Sequence, residues 1–483
     1  MAQRPRFEPS PCFTSKSQNI PLASENSDRD KSWVPLLNCP ANFPVEVFEL
    51  ATSQLINHPE YNSTLILRSE TLAEINDAES FPDSVPNLQN HKRLKCIHRK
   101  LLPRRPARDT SLEQHCTLYS DAEDDSNTPT TLVLTPIVTP ESPLPYYHPT
   151  VFHLAFRYLP SDSSHENEGT LQIEVITYPD TSLDPNARLY RTCLALLDTL
   201  HRYGWGAMTN YQKRVQHDVL IPREEYQDLY LVMRERHKGL VDTWQEVTDP
   251  LKHDIGIATY LILLWKKTFS AGSEVISKGS EPWKHWPRPP GGFLDFGCGN
   301  GLLTHILTSE GYAGYGIDVR ARSSWTSYPQ TSQDQLHVHA FDPAATDHST
   351  LYFPPGVFVI ANHADELTPW TPVLATLSSA SGYLSIPCCA WTFDVKYERS
   401  TNLPYLLPDE EAPEEFAKRL NLGGDGSNTS SYSMYRIWLA TLSVHCGWEV
   451  ECDILRIPST RNWAIVGVEG DMKKFKKTKR WKM

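Results

Sequence analysis

The spacing Asp295-x-Gly297-x-Gly299-x-Gly301 has chemical content. It opens inside the short apolar run Phe293 to Phe296, breaks it with three glycines, and hands over to Leu302, Leu303, Ile306 and Leu307 at helical period, which reads as strand, turn and helix. The next apolar run, Tyr315-Gly316-Ile317, ends in Asp318. That acid falls seventeen residues after Gly301, at the tip of the neighbouring strand, where a carboxylate can accept hydrogen bonds from a ribose diol. Two phosphate-binding turns do not fit. A dinucleotide fingerprint needs its third glycine three places after the second, and Leu302 occupies that place. A P-loop needs a lysine followed by Ser or Thr after the glycines, and none is there. A buried strand-turn-helix with glycines for purely steric reasons is the alternative.

Such a turn needs a sheet to hold it. Strands are expected at Gly314 to Asp318, Leu336 to Phe341, Val357 to Ala361 and Tyr383 to Pro387, with helices near Asp365 to Ser379 and Ser431 to Cys446. WEVECDILRI and WAIVGV then form two antiparallel strands around PSTRN. Five βα units and a terminal hairpin predict an α/β fold with a doubly wound sheet of about seven strands. Ligands of open α/β sheets bind beyond the carboxyl ends of the strands, so residues just after each strand are the candidates. Asp342 follows the third strand, as a ligand contact or a helix N-cap. The fourth is followed by Asn362-His363-Ala364-Asp365-Glu366-Leu367-Thr368-Pro369-Trp370, a dense polar group whose acids could also merely favour a helix dipole. Cys388 and Cys389 follow the fifth, without an identifiable base, and read as packing. Arg456 and Arg461 flank the hairpin connection and could hold a phosphate. Lys252 and His253 lie near the start of the helix before the turn, which Thr248 or Asp249 could cap.

The whole chain sets limits. Its 483 residues carry a formal net charge of -12, which argues against general affinity for nucleic acid and for DNA as a partner, while leaving room for a local basic patch. The 38 prolines concentrate in the first 150 residues. Ten cysteines show no Cys-x-x-Cys pair, so neither a zinc site nor a disulfide framework is expected, and no metal is assigned. No apolar run is long enough for a signal peptide or a membrane span, so a cytoplasmic protein is expected. Residues 1–40 read as a disordered leader, 41–245 as an α+β domain with a binding or accessory role, 246–470 as the domain that carries the glycine turn and 471–483 as a basic tail. Within the second of these, apolar runs between Thr131 and Tyr178 suggest a small sheet, and helical patterns begin at Arg188. The segment His91 to Asp109, with eight Lys or Arg, is either solvated surface or a phosphate-tracking patch. DMKKFKKTKRWKM at the end of the chain could track a phosphate backbone, serve as a nuclear signal or be a solvated end.

The glycine spacing resembles motif I of the S-adenosylmethionine-dependent methyltransferases. Taken together, HDVLIPREEYQDLYLVMRERH, WQEVTDPLKHDIGIATYLILLW, GIDVRARSSW, NHADELTPW, IPCC and LRIPST resemble the eukaryotic tRNA (uracil-2'-O-)-methyltransferases that modify uridine 44 of serine tRNAs. The likeness runs from about Lys95 to Val468. It implies a Rossmann-like class I methyltransferase sheet, S-adenosyl-L-methionine as cofactor, serine tRNA as partner and a ribose 2'-hydroxyl as acceptor. Cofactor contacts are then expected at Asp295, Gly297, Gly299, Asn300, Gly301, Asp318, Val319, Asp342 and Asn362. Tetrads of Lys-Asp-Lys-Glu serve many ribose methyltransferases of this sheet, and only Lys252 and Asp365 match its first two members. They are the candidate catalytic pair, with Lys252 as base if its environment lowers its pKa. Arg320, Arg322, His363, Glu366, Arg456 and Arg461 are candidate tRNA contacts. A methyltransferase acting on a protein or a metabolite, and a catalytically dead scaffold, are the competing readings.

Overall fold

Described here, from a computed structural model, are residues 4–12, 21–25, 32–76, 80–124, 127–139, 143–160, 169–209, 217–240, 248–270, 279–340, 342, 351–399, 412–420 and 430–468. The chain divides into two units, Met1–Gln212 and Lys213–Met483. The tail at 471–483 lies outside the described residues, as does Phe341. No helix among the described residues is long and apolar enough to cross a membrane.

Antiparallel pairing dominates the first unit. Its strands are β1 (Ser10–Pro11), β2 (Val34–Pro40), β3 (Ile66–Ile75), β4 (His91–Pro103), β5 (Leu112–Asp121), β6 (Thr131–Ile137), β7 (Val151–Pro160) and β8 (Gly169–Thr177). They form one sheet in the order β1-β2-β8-β7-β6-β5-β4-β3. Helices α1 (Phe48–Asn57) and α2 (Arg188–Met208) contribute to its core. On α2 the buried Leu189, Cys193, Leu197 and Leu200 repeat at steps of three and four, and they share that core with Phe156, Leu171, Ile173 and Val175.

Two expectations are corrected here. Residues 34–40, assigned to a disordered leader, are a strand paired with β8; Pro35 is accommodated because the register shifts between Pro35 and Leu37. The basic segment is only in part the solvated surface expected: Arg104, Arg105 and Arg108 are exposed, but the residues before them are built into the sheet. Residues His91–Pro103 are strand β4, paired on both sides, and their charges meet acids on the neighbours: Lys95 lies 2.8 Å from Glu74, and His98 lies 2.9 Å from Glu113. Arg99 is buried and donates to Gln114 Oε1 and to the carbonyl of Leu55. The sheet is therefore wider than the one expected from Thr131 onwards.

The second unit contains α3 (Arg223–Arg236), α4 (Thr248–Phe269), β9 (Phe293–Phe296), α5 (Leu302–Ser309), β10 (Gly314–Asp318), α6 (Gln330–Gln333), β11 (Leu336–Val338), β12 (Phe358–Asn362), α7 (Trp370–Leu377), β13 (Gly382–Ile386), α8 (Pro413–Arg419), α9 (Ser431–His445), β14 (Glu449–Ile454) and β15 (Trp463–Val468). The sheet order is β11-β10-β9-β12-β13-β15-β14. Strands β9 to β13 run parallel, and β15 is antiparallel to both β13 and β14. Every residue of β9 and of β13 is buried, as a parallel sheet covered on both faces requires. One core joins α3, α4 and α5 to Phe293, Phe358 and Leu384; another joins α7, α8 and α9 to Phe296, Val359 and Tyr383.

The division between units falls after Gln212 and not at 245/246, because Tyr226, Leu229 and Met233 of α3 share a core with Ile255, Leu261 and Trp265 of α4. Two buried acids fasten these elements. Glu310 accepts hydrogen bonds from Arg236 Nε (3.0 Å), His237 Nε2 (2.9 Å) and Trp283 Nε1 (2.8 Å). Asp453 of β14 accepts from the N–H groups of Leu220 (3.1 Å) and Ile454 (2.8 Å) and from the Tyr260 hydroxyl on α4 (3.3 Å).

Candidate functional site

Three glycines with left-handed backbone shape the turn between β9 and α5: φ is 80° at Gly297, 54° at Gly299 and 78° at Gly301. The N–H groups of Gly297 and Cys298 both donate to the carbonyl of Ile317, at 3.0 and 2.9 Å, tying the turn to β10. Its carbonyls are held by the segment after β10. Trp325 Nε1 donates to Gly299 O at 2.9 Å; Ser324 Oγ and the Tyr328 hydroxyl donate to Asn300 O at 2.8 and 3.1 Å. Asn300 Oδ1 accepts from the Leu302 N–H at 2.9 Å, in the first turn of α5.

Gly301 is confined as well as twisted. A Cβ there would lie 2.8 Å from Leu336 Cδ1 and 3.1 Å from Trp325 Nε1. Gly301→Ala is expected to destabilise the second unit by about 2 kcal/mol, from the left-handed backbone and the clash together. Thermal unfolding should show a drop of roughly 4 to 8 °C; an unchanged midpoint would mean the turn relaxes freely.

Acids converge on the turn. Asp295 is 1% exposed; its Oδ2 accepts from the Thr304 hydroxyl at 2.8 Å, while Oδ1 is buried with no partner among the described residues. Burial pushes its pKa up to about 7, with Asp254 and Asp318 adding to the rise and the Thr304 hydrogen bond opposing it. Asp318 ends β10, and its Oδ2 accepts the Gly299 N–H at 2.9 Å. Arg322 Nη2 stands 3.8 Å from Asp318 Oδ1.

The loop after β12 is strained. His363 has φ 56° and Asp365 φ 45°, conformations that cost on the order of 1–3 kcal/mol in non-glycine residues and persist where surrounding structure imposes them. The Oδ1 of Asn362 and the Nδ1 of His363 are buried without a partner among the described residues. His363 Nε2 lies 3.0 Å from Nε2 of His253 on α4, whose Nδ1 lies 2.9 Å from Asp254 Oδ1. Cys388 Sγ donates to Asp365 Oδ1 at 3.0 Å. Burial and the Asp365 carboxylate push the Cys388 thiol up to about 12, so it is not a thiolate nucleophile at neutral pH.

A cleft of about 420 Å³ lies at the carboxyl ends of β9, β10 and β12. Gly297, Gly299, Asp318, Val319, Arg322, His363, Asp365 and Glu366 line it together, eight of the residues singled out in the sequence. Asp342 does not: β11 ends at Val338, three residues earlier than expected, and His339 and Ala340 line the cleft in its place. Lys252 is exposed on α4 and outside the lining, whereas its neighbour His253 reaches His363. The side chains of Thr248 and Asp249 lie outside the described residues. Arg320 is exposed. Arg456 forms a bidentate pair with Asp218, and Arg461 stacks at 3.9 Å over the Tyr432 ring, whose hydroxyl donates to Pro387 O. Sequence reasoning missed the props Ser324, Trp325 and Tyr328, and the pairing of His253 with His363.

These residues suit a nucleoside bearing a cationic amino-acid end. The space above Gly299 is open, with nothing within 4 Å of where a Cβ would be, and the orphaned Asp295 and Asn362 oxygens can accept from an ammonium or a hydroxyl. Residues 220–343 match the family described as "Predicted AdoMet-dependent methyltransferase", and residues 10–214 match "TRM44-like, N-terminal bet v1-like domain". The chain is an S-adenosyl-L-methionine-dependent methyltransferase with a bet v1-like N-terminal domain.

Its relatives narrow the class. A tRNA (uracil-O(2)-)-methyltransferase of Schizosaccharomyces pombe is 33% identical, over 90% of this chain and 85% of the relative. One from Neurospora crassa is 32% identical over 96% and 92%, and one from Saccharomyces cerevisiae 29% over 93% and 89%. This chain belongs to the tRNA (uracil-O(2)-)-methyltransferase family.

Proposed function

We propose that this protein methylates the ribose 2'-hydroxyl of uridine 44 in serine tRNA. The observation that carries the reading is the cleft itself: strand order reverses between β9 and β12, the glycine turn after β9 stands at that switch point, and Asp318 at the end of the adjacent β10 is anchored to it by the Gly299 N–H. This arrangement supports a Rossmann-like class I methyltransferase sheet. The names of the relatives support tRNA and uridine; the resemblance of GIDVRARSSW, NHADELTPW and LRIPST supports position 44 and serine tRNA.

Asp318 is assigned to the ribose hydroxyls of the cofactor: with one oxygen oriented by the turn, its remaining lone pairs are available as acceptors. Asp295 Oδ1 and Asn362 Oδ1 are assigned to its amino-acid end, and Gly297, Gly299 and Val319 to the walls around it. When bound, S-adenosylmethionine supplies an electrophilic methyl whose carbon–sulfur bond breaks with the electrons returning to sulfur. The protein's own work is to align the acceptor oxygen, for which orientation alone is worth up to about 7–11 kcal/mol of barrier in favourable cases. Arg322 at the cleft, with the exposed Arg320 two residues before it and the exposed Arg461 between β14 and β15, is assigned to the tRNA backbone.

Nucleoside mass spectrometry of serine tRNA incubated with the protein and cofactor should show 2'-O-methyluridine, and tRNA with uridine 44 replaced by cytidine should show none. Label appearing in protein or small metabolites, with the tRNA unmodified, would refute this substrate.

A further inference from the structure

Helix α4 and the loop after β12 bring three titratable side chains into single file. Asp254 Oδ1 faces His253 Nδ1 at 2.9 Å, and His253 Nε2 faces His363 Nε2 at 3.0 Å. A carboxylate only accepts, so the Asp254 contact places a hydrogen on His253 Nδ1. In a neutral His253 ring Nε2 is then a bare lone pair, and the hydrogen shared with the second ring belongs to His363. That leaves Nδ1 of His363 bare. This nitrogen is buried without a partner among the described residues, on a residue that lines the cleft. Left-handed backbone at His363 and Asp365 holds the ring where ordinary backbone would not.

We propose that His363 is the general base of the transfer, taking the acceptor hydroxyl proton at Nδ1 and passing its own Nε2 proton to His253, with His253 and Asp254 as positioning residues. The proposal rests on the acceptor being a hydroxyl, as in the reading above. The O–H bond breaks and its electron pair stays on oxygen, which forms the new bond to carbon. The proton arrives at Nδ1 of His363; the Nε2 proton of that ring crosses to His253 Nε2. An imidazolium then stands beside Asp254, whose negative charge stabilises it, and between turnovers its Nε2 proton returns to His363 Nε2 as Nδ1 of that ring releases its proton to water. Oxygen gains a methyl, and one proton is released per methyl transferred.

The groups facing His363 are His253 and Asp254 from α4, the Ile386 carbonyl from β13 and Asp365 on its own loop. Burial and His253 hold its pKa down to about 4, and the two acids and the carbonyl oppose them. That direction favours the neutral ring at neutral pH. Relay to His253 places the proton beside the Asp254 carboxylate.

Three measurements test this. Single-turnover methylation of tRNA by His363→Ala should fall about 100- to 10,000-fold, with partial restoration by added imidazole, while calorimetric affinity for S-adenosylhomocysteine falls far less than the rate. Asp254→Asn should lower the plateau of the pH–rate profile and also move its acid limb to lower pH; a purely structural role would lower the plateau alone. Independently of activity, long-range ¹H–¹⁵N spectra of ¹⁵N-histidine protein, assigned with His363→Gln, should show His363 neutral at pH 6 with its hydrogen on Nε2. An Nδ1–H tautomer, or a near wild-type rate in His363→Ala, overturns the proposal. Should the wild type methylate no tRNA while the spectra show the expected tautomer, the substrate reading fails and the relay stands.

Discussion

Asp318→Ala is expected to weaken S-adenosylhomocysteine binding by roughly 100- to 20,000-fold, from loss of two charge-assisted hydrogen bonds to the ribose at ~1.5–3 kcal/mol each. The variant should still fold. The turn keeps both hydrogen bonds to Ile317 and the three side-chain props from Ser324, Trp325 and Tyr328. Removing the carboxylate also frees the Gly299 N–H, so part of the loss is poorer pre-organisation of the turn. Asp318→Asn separates the two contributions: its amide oxygen can keep the Gly299 contact, and a smaller loss of roughly 10-fold is expected. Isothermal titration calorimetry reads both. Equal affinity in wild type and Asp318→Ala would place the ribose elsewhere.

The largest expected effect on stability comes from Glu310. Burial raises the pKa of this carboxyl, but hydrogen bonds from His237, Arg236 and Trp283 outweigh it and bring the group down to about 2. A carboxylate whose folded pKa lies below its unfolded value adds stability above the unfolded value, near 4.5, and loses it as pH falls towards 2. The gap is worth roughly 3 kcal/mol at neutral pH. Glu310→Gln should therefore lower the melting temperature of the second unit at pH 7 by roughly 6 to 12 °C, with the difference narrowing steadily below pH 5. Glu310→Ala should cost more, about 3–5 kcal/mol, because it leaves His237 and the Trp283 indole without their acceptor. Scanning calorimetry across pH 3 to 8 checks both; a difference that is constant with pH would assign Glu310 a packing role only.

The catalytic half was legible because its signals are local. A glycine turn between apolar runs and an acid at the next strand tip sit within thirty residues, and the structure places Gly297, Gly299 and Asp318 in one cleft. Strand ends were less so: β11 stops at Val338, which moves His339 into the position expected of Asp342. The His253–His363 contact spans 110 residues, and no local period reports such a pairing. Lys252 drew attention as the cation next to it, yet helical geometry turns adjacent residues about 100° apart, so one faces the loop and the other solvent. In the first unit, β2 carries prolines at its second and last positions and β4 carries five basic side chains; both hide strand character that only pairing with neighbours reveals.

Strand β15 lies between β13 and β14, though both precede it in the chain. During synthesis β14 thus emerges from the ribosome with no neighbour to pair with, and waits for Trp463–Val468. Because Asp453 on β14 grips Tyr260 of α4, the helix that carries His253 gains its final anchorage only then. A nascent chain can form the glycine turn early, but translation must run past Val468 before the two histidines are locked in register.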